Sequence, residues 1–146
     1  MSNGTTLRFP YQVSVVNEGA YRLTIYNPKT DTTLYAGGGK VADITVYEGD
    51  YGYDLQFTIT DVDGNPVNLS GGSVTFKMAK PTSSSLKVNA SCTITEPTAG
   101  RCVYTTQSSD FDEAGDYVAE LEVNVAGKVI TIGDINVYVK KDLPRG

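Results

Sequence analysis

From about residue 44 onward the chain is written in period two. Leu55, Phe57 and Ile59 alternate with Gln56, Thr58 and Thr60. Val74, Phe76 and Met78 alternate with Thr75 and Lys77, and Tyr117, Ala119, Leu121 and Val123 alternate with Val118, Glu120, Glu122 and Asn124. Successive side chains of a strand point to opposite faces, so each run predicts a strand with one face in a core and one in water. The stretches DVDGN, NLSGG, KPTSSS, EPTAG, SSDFDEAG and NVAGK separate the runs, and their Gly, Pro, Asn, Asp and Ser are the residues that turn a chain. Strands are predicted at about 44–47, 53–60, 73–79, 88–95, 101–106, 116–125 and 128–139, the last bent or bulged at Gly133-Asp134. No segment carries a convincing helical period. Seven short strands on this spacing predict an all-β fold, an immunoglobulin-like antiparallel β-sandwich over residues 44–146.

The run Asp112-Glu113-Ala114-Gly115-Asp116-Tyr117 has the spacing of a tyrosine corner, in which a Tyr at the start of a late strand returns its hydroxyl to the backbone a few residues upstream. Tyr117 is therefore a predicted structural residue. Ala119 stands where antibody domains place their second cysteine, and there is no Trp, so the expected core is aliphatic and pinned by Phe57 and Phe76.

Residues 1–43 carry strand patterning of their own. Leu7, Phe9, Tyr11, Val13 and Val15 share one parity, and Tyr21, Leu23 and Ile25 precede a turn at Asn27-Pro28-Lys29-Thr30, a return through Leu34 and Tyr35, and a Gly37-Gly38-Gly39 joint. A lone hairpin is marginal in water and must lay its apolar face on something. The expectation is an N-terminal β-hairpin or arm over 1–43 that attaches to neighbouring subunits, with Leu7, Phe9, Tyr11, Val13, Tyr21, Leu23 and Ile25 as contacts. The alternative is an arm folded back on its own domain. Tyr47, Tyr51 and Tyr53 cluster in VYEGDYGYD and extend the expected interface, because a ring with a polar tip suits surfaces that are wet in one state and buried in another. The same three could stack on a sugar.

Composition narrows the function. A chain of 146 residues can bury a core without a cofactor to staple it. Its net charge is -5 and its pI about 4.6, with Lys and Arg scattered singly, which argues against nucleic acid or anionic membrane as partner. No apolar run approaches the roughly 20 residues of a membrane-spanning helix, and MSNGTTLRFP lacks the basic head and apolar stretch of a secretory signal, so synthesis in a host cytoplasm is expected. Histidine is absent, which removes Ser-His and Cys-His catalysis and most zinc geometries. No enzyme activity, cofactor or metal is expected.

Three further candidates were weighed on spacing. Asp61, Asp63 and Asn65 fit the first ligand positions of a calcium-binding EF-hand loop. The glycine position is Pro66, however, the bidentate glutamate position is Gly72, and both flanks are strands, so the stretch is read as a tight turn. Cys92 and Cys102 lie on two arms of a hairpin centred at Pro97, and a register that sets them opposite one another permits a cross-strand disulfide; assembly in a reducing cytoplasm favours two thiols, and both states remain open. Glu120 and Glu122 project from one strand face, roughly 7 Å apart, and are read, like Asp50 and Asp54, as a solvated surface that discourages edge pairing.

The succession DVDGNPVNLSGGSVTF, TAGRCVYT, DEAGDYVAELEV and a closing strand ending INVYV resembles the N-terminal immunoglobulin-like domain of phage baseplate upper proteins and related tail and fibre modules, over roughly residues 45–140. The resemblance implies a module that fastens virion subunits together. The resulting expectation is a structural virion protein of a tailed bacteriophage, a capsid decoration or cement protein, forming a homo-oligomer and contacting major capsid or tail subunits. Alternatives are a baseplate, collar or tail accessory protein, or an adhesion module for a host glycan.

Overall fold

A computed structural model describes residues 15–16 and 21–141. Among these, the period-two runs form strands β1 (Val15–Val16), β2 (Tyr21–Asn27), β3 (Thr32–Gly37), β4 (Ala42–Tyr47), β5 (Asp54–Asp61), β6 (Ser73–Ala79), β7 (Val88–Ser91), β8 (Thr93–Glu96), β9 (Arg101–Thr105), β10 (Gly115–Val125) and β11 (Lys128–Lys140). They build two facing sheets. One has the order β1-β11-β10-β6-β7, with β4 also pairing β11; the other has the order β3-β2-β5-β9-β8. β1 and β4 run parallel to β11, and every other ladder is antiparallel. The predicted sandwich is observed, with these two parallel pairings added to it.

The inward parity supplies the core. Leu55, Phe57 and Ile59 of β5 face Val74, Phe76 and Met78 of β6 and Leu121 and Val123 of β10, all essentially without solvent exposure. The rings of Phe57 and Phe76 stack at 6.1 Å, and Phe76 stacks on Tyr104 of β9 at 4.9 Å, so three strands from both sheets share one aromatic column. Burying each such side chain stabilises by about 1.5–3 kcal/mol, with some 0.5–1.5 kcal/mol more for each ring pair.

β11 has to change parity to keep its apolar residues inside. Ile130 and Ile132 point inward, and so do Ile135, Val137 and Val139. The change is made by a bulge: Ala119 pairs with Ile135 and Leu121 with Ile132, leaving Gly133 and Asp134 against Glu120. Asp134 takes a left-handed conformation, φ 62°. Without the extra residue one half of β11 would turn its isoleucines to water.

Two expectations are corrected. Residues 21–37 are no detached arm: β2 lies between β3 and β5, and Leu23, Ile25 and Ala36 are wholly buried in the shared core. The hairpin finds its apolar surface on its own domain, where β2 pairs the edge of β5 and its inward side chains join the shared core. The single strand predicted at 88–95 is two strands in different sheets. The chain crosses at Cys92, whose N–H still bonds Val74 O at 2.8 Å, before β8 joins β9. This crossing sets the register. Ile94, and not Cys92, lies opposite Cys102, and both cysteines are free thiols.

Candidate functional site

The surface candidates gather where β4 ends and β9 leaves its sheet. Tyr47 is the last residue of β4, opposite Lys140, and the chain turns there through Asp50 N to Tyr47 O at 3.1 Å and Gly49 N to Phe111 O at 2.8 Å. Phe111 is fully buried and closes the end of the core beneath this turn. Tyr53 N donates to Thr106 Oγ1 at 3.2 Å, and that hydroxyl donates back to Tyr53 O at 3.1 Å. The buried Thr106 thereby fixes the start of β5 to the end of β9. Asp110, also buried, accepts from the Tyr104 hydroxyl at 2.5 Å and from Gln107 N at 2.8 Å. Burial first, then the bond to Asp110, pushes the Tyr104 phenol well above its ordinary value.

On this frame the three clustered tyrosines part company. Tyr51 and Tyr47 stand in solvent, 59% and 45% exposed. Tyr53 packs against the core, its hydroxyl buried and without a hydrogen-bond partner. Burial, then the charges of Asp50 and Asp110, pushes its pKa up to about 12. Tyr53 therefore holds the loop, and only Tyr47 and Tyr51 are available to a partner. Leu23 and Ile25 belong to the core, as described, and Tyr21 is half-buried against it, which removes the first two from any contact surface of the folded sandwich. Leu7, Phe9, Tyr11 and Val13 lie outside the described residues.

Tyr117 is buried, and its hydroxyl donates to Glu113 O at 2.8 Å, four residues upstream, as a tyrosine corner requires. The corner fixes the loop in which Lys87 pairs with Asp112 and Lys80 with Glu113 at 3.1 Å. Cys92 and Cys102 lie in hydrogen-bond contact, and that contact, followed by burial, pushes the Cys92 thiol far up. Cys92 stays in the inert thiol form at neutral pH.

The Asp61 loop is used up by its own backbone. Asp61 Oδ1 accepts from Asp63 N and Asn65 N, both at 2.9 Å, and Oδ2 accepts from Asn65 Nδ2 at 3.2 Å. The Asn65 backbone bond leads the causes that hold this carboxyl below its usual range. Gly64 supplies the left-handed φ of 88°. An oxygen that faces amide hydrogens is turned away from a cation, and among the described residues no three His, Cys, Asp or Glu gather in a metal-binding group.

Pattern reading missed the apolar groups that lie outside the inward parity. Tyr35 on β3 is 57% exposed, and Val41, Leu86 and Val118 are open as well. Leu86 and Val118 line a groove of about 530 Å³ beside the β11 bulge, with Lys77, Glu120 and Asn136. A second groove of about 410 Å³ crosses the outer face of the other sheet over Thr24, Tyr26, Gln56 and Thr58. Tyr35 was visible in sequence only as the return of a hairpin, and its exposure follows from its outward parity between Leu34 and Ala36 on β3.

With the fold and surfaces placed, comparison with known proteins is decisive on family. The family model of the BppU N-terminal domain, the N-terminal domain of the phage baseplate upper protein, matches residues 20–145. The chain belongs to this family. The BppU N-terminal match begins just before β2 and runs past the end of β11, so the family unit includes the hairpin β2–β3. Membership makes the chain a structural component of a phage virion that works in contact with other virion proteins. No curated protein matches the chain. Among solved structures, CopC from Methylosinus trichosporium OB3b is similar over 72% of this chain and 90% of its own, at 12% identity and a TM-score of 0.46.

Proposed function

We propose that this chain is a non-enzymatic attachment module of a phage baseplate, a rigid sandwich that holds neighbouring tail-end proteins through its exposed tyrosines and its N-terminal segment. The observation that carries the reading is the baseplate family match over residues 20–145, which spans every strand of the sandwich from β2 to β11. Supporting it, the end loops present Tyr47 and Tyr51 on a frame tied down by Thr106, Asp110 and Phe111, and exposed aromatics on rigid supports are the residues that anchor interfaces. The absence of histidine from the chain speaks for mechanical work. Residues 1–14, with Leu7, Phe9, Tyr11 and Val13 on one parity, form the tether in this reading.

Capsid decoration is the competing location, and labelling the protein on intact particles separates the two. Signal at the tail tip supports the baseplate reading, whereas signal spread over the head overturns it in favour of a cement role. In the same particles, exchange of Tyr47 and Tyr51 for Ser is expected to lower incorporation severalfold while leaving the melting temperature of the free protein unchanged.

A further inference from the structure

We propose that the free edge of β3 is an acceptor for an added strand, and that its occupant is the N-terminal segment around residues 7–13 of a second copy of this chain. The inference deepens the attachment reading but stands on the edge itself.

Among the described residues the ladder of β3 is with β2; Gly37 closes its outward N–H and C=O on Lys40, and the outward groups of Thr33 and Tyr35 have no ladder there. A free strand edge is a template for another chain, and proteins ordinarily blunt it with charge, proline, a bulge or shortness. β7 and β8 are short, four residues each, and β8 ends in the Glu96–Arg101 ion pair. The edge strand β4 carries Asp43. β3 has six residues, TTLYAG, with no charge and no proline, and its ladder with β2 runs without a bulge from Asn27↔Thr32 to Arg22↔Gly37. It also presents Tyr35, more than half exposed, on the face beside Thr24. This edge is open where the others are guarded.

The occupant is argued from the chain that precedes β1. Its sequence LRFPYQVSV alternates apolar residues at 7, 9, 11 and 13, the pattern of a strand seeking one apolar face. Pro10 belongs to the other parity. Successive residues of a strand direct their N–H groups to opposite sides, so a segment that bonds β3 through Leu7, Phe9, Tyr11 and Val13 turns Pro10, which has no N–H, to the outer side, where nothing is lost. The same proline stops further strands from adding, so one acceptor takes one donor.

Strand direction makes the donor a second copy. Val15 pairs in parallel with Val129, near the start of β11, so in this proposal the donor segment is taken to lead back past the β10–β11 turn. Gly37, the last residue of β3, lies at this same end, its Cα side facing Tyr21 O and Ile132, while β3 runs from there toward the opposite end of the sandwich. To cover its own β3 the segment would have to reverse direction, whereas a neighbour's edge lies ahead of it.

The test uses solution mass and backbone-blocked peptides. The full chain, followed by light scattering from low micromolar to near millimolar, is expected to associate with rising concentration, and hydrogen exchange should slow at residues 32–37 as it does. A chain lacking residues 1–14, which keeps every strand described, should stay monomeric and bind a peptide of residues 1–16. N-methylation of that peptide at Phe9 or Tyr11 should weaken binding by about tenfold for each hydrogen bond removed, and N-methylation at Arg8 or Gln12 should leave it unchanged. A full chain that stays monomeric while the shortened chain binds the peptide shows each segment on its own edge and overturns the second-copy assignment. Binding indifferent to N-methylation, or exchange protection elsewhere than β3, overturns the edge. These outcomes are independent of where the protein sits on the particle, which is the separate test of the baseplate reading.

Discussion

Single residues set the conformations that the sheets cannot. Gly100 takes φ 70°, and a methyl group there would run into the carbonyl of Ile59 and sit 3.1 Å from Val67 O. Gly127 takes φ 77° with open space around it. Gly127→Ala is expected to cost about 1 kcal/mol, the left-handed cost of a β-carbon, and Gly100→Ala roughly 1–3 kcal/mol more because backbone must move; urea unfolding of the pair measures the difference. Ala126 offers the converse. It occupies φ 51° in the two-residue turn between Val125 and Lys128, a position that favours Asn before Gly, so Ala126→Asn should raise stability by about 1 kcal/mol. Tyr117→Phe removes the bond to Glu113 O and should cost roughly 1–3 kcal/mol, read from the same unfolding curves. The raised phenols of Tyr53 and Tyr104 give an alkaline limit. A folded pKa of about 12 for Tyr53 against an ordinary 10.0 means that its contribution is complete below pH 10 and lost as pH rises toward 12. Absorbance titration of the tyrosines should therefore show a fraction that ionises only together with loss of the fold.

At the scale of elements, the sequence was legible where one face is wet. β5, β6, β10 and β11 alternate cleanly, and even the β11 bulge was readable at Gly133-Asp134 because the isoleucine parity changes across it. What the pattern did not carry was which strands share a sheet. β2 and β3 alternate as well as any others, yet period two is the same for a strand in a detached hairpin and for one in the middle of a sandwich. Only the long-range ladder of Leu23 with Ile59 and Ile25 with Phe57 distinguishes them. The crossing at Cys92 was hidden for the same reason: VNASCTITE reads as one strand, and the change of sheet appears only in its partners. The exposed tyrosines were half legible, since spacing gathered Tyr47, Tyr51 and Tyr53 but could not tell that the third turns inward. The crossing predicts slow chemistry at its thiol. With Cys92 raised by its bond to Cys102 and by burial, alkylation by iodoacetamide at neutral pH should be much slower in the native protein than in denaturant, as followed by intact mass.

For the molecule as a whole, the two sheets make a body whose described core lies within residues 21–141. The order of strands also decides how that body bears load. β1 and β4 lie parallel to β11, one along its first half and one along its second, so Val15 and Lys140 stand toward opposite ends of β11. A pull applied between these two ends is directed along the ladders. The bonds must then slide together and break as a group, where a pull across the strands would open them one at a time.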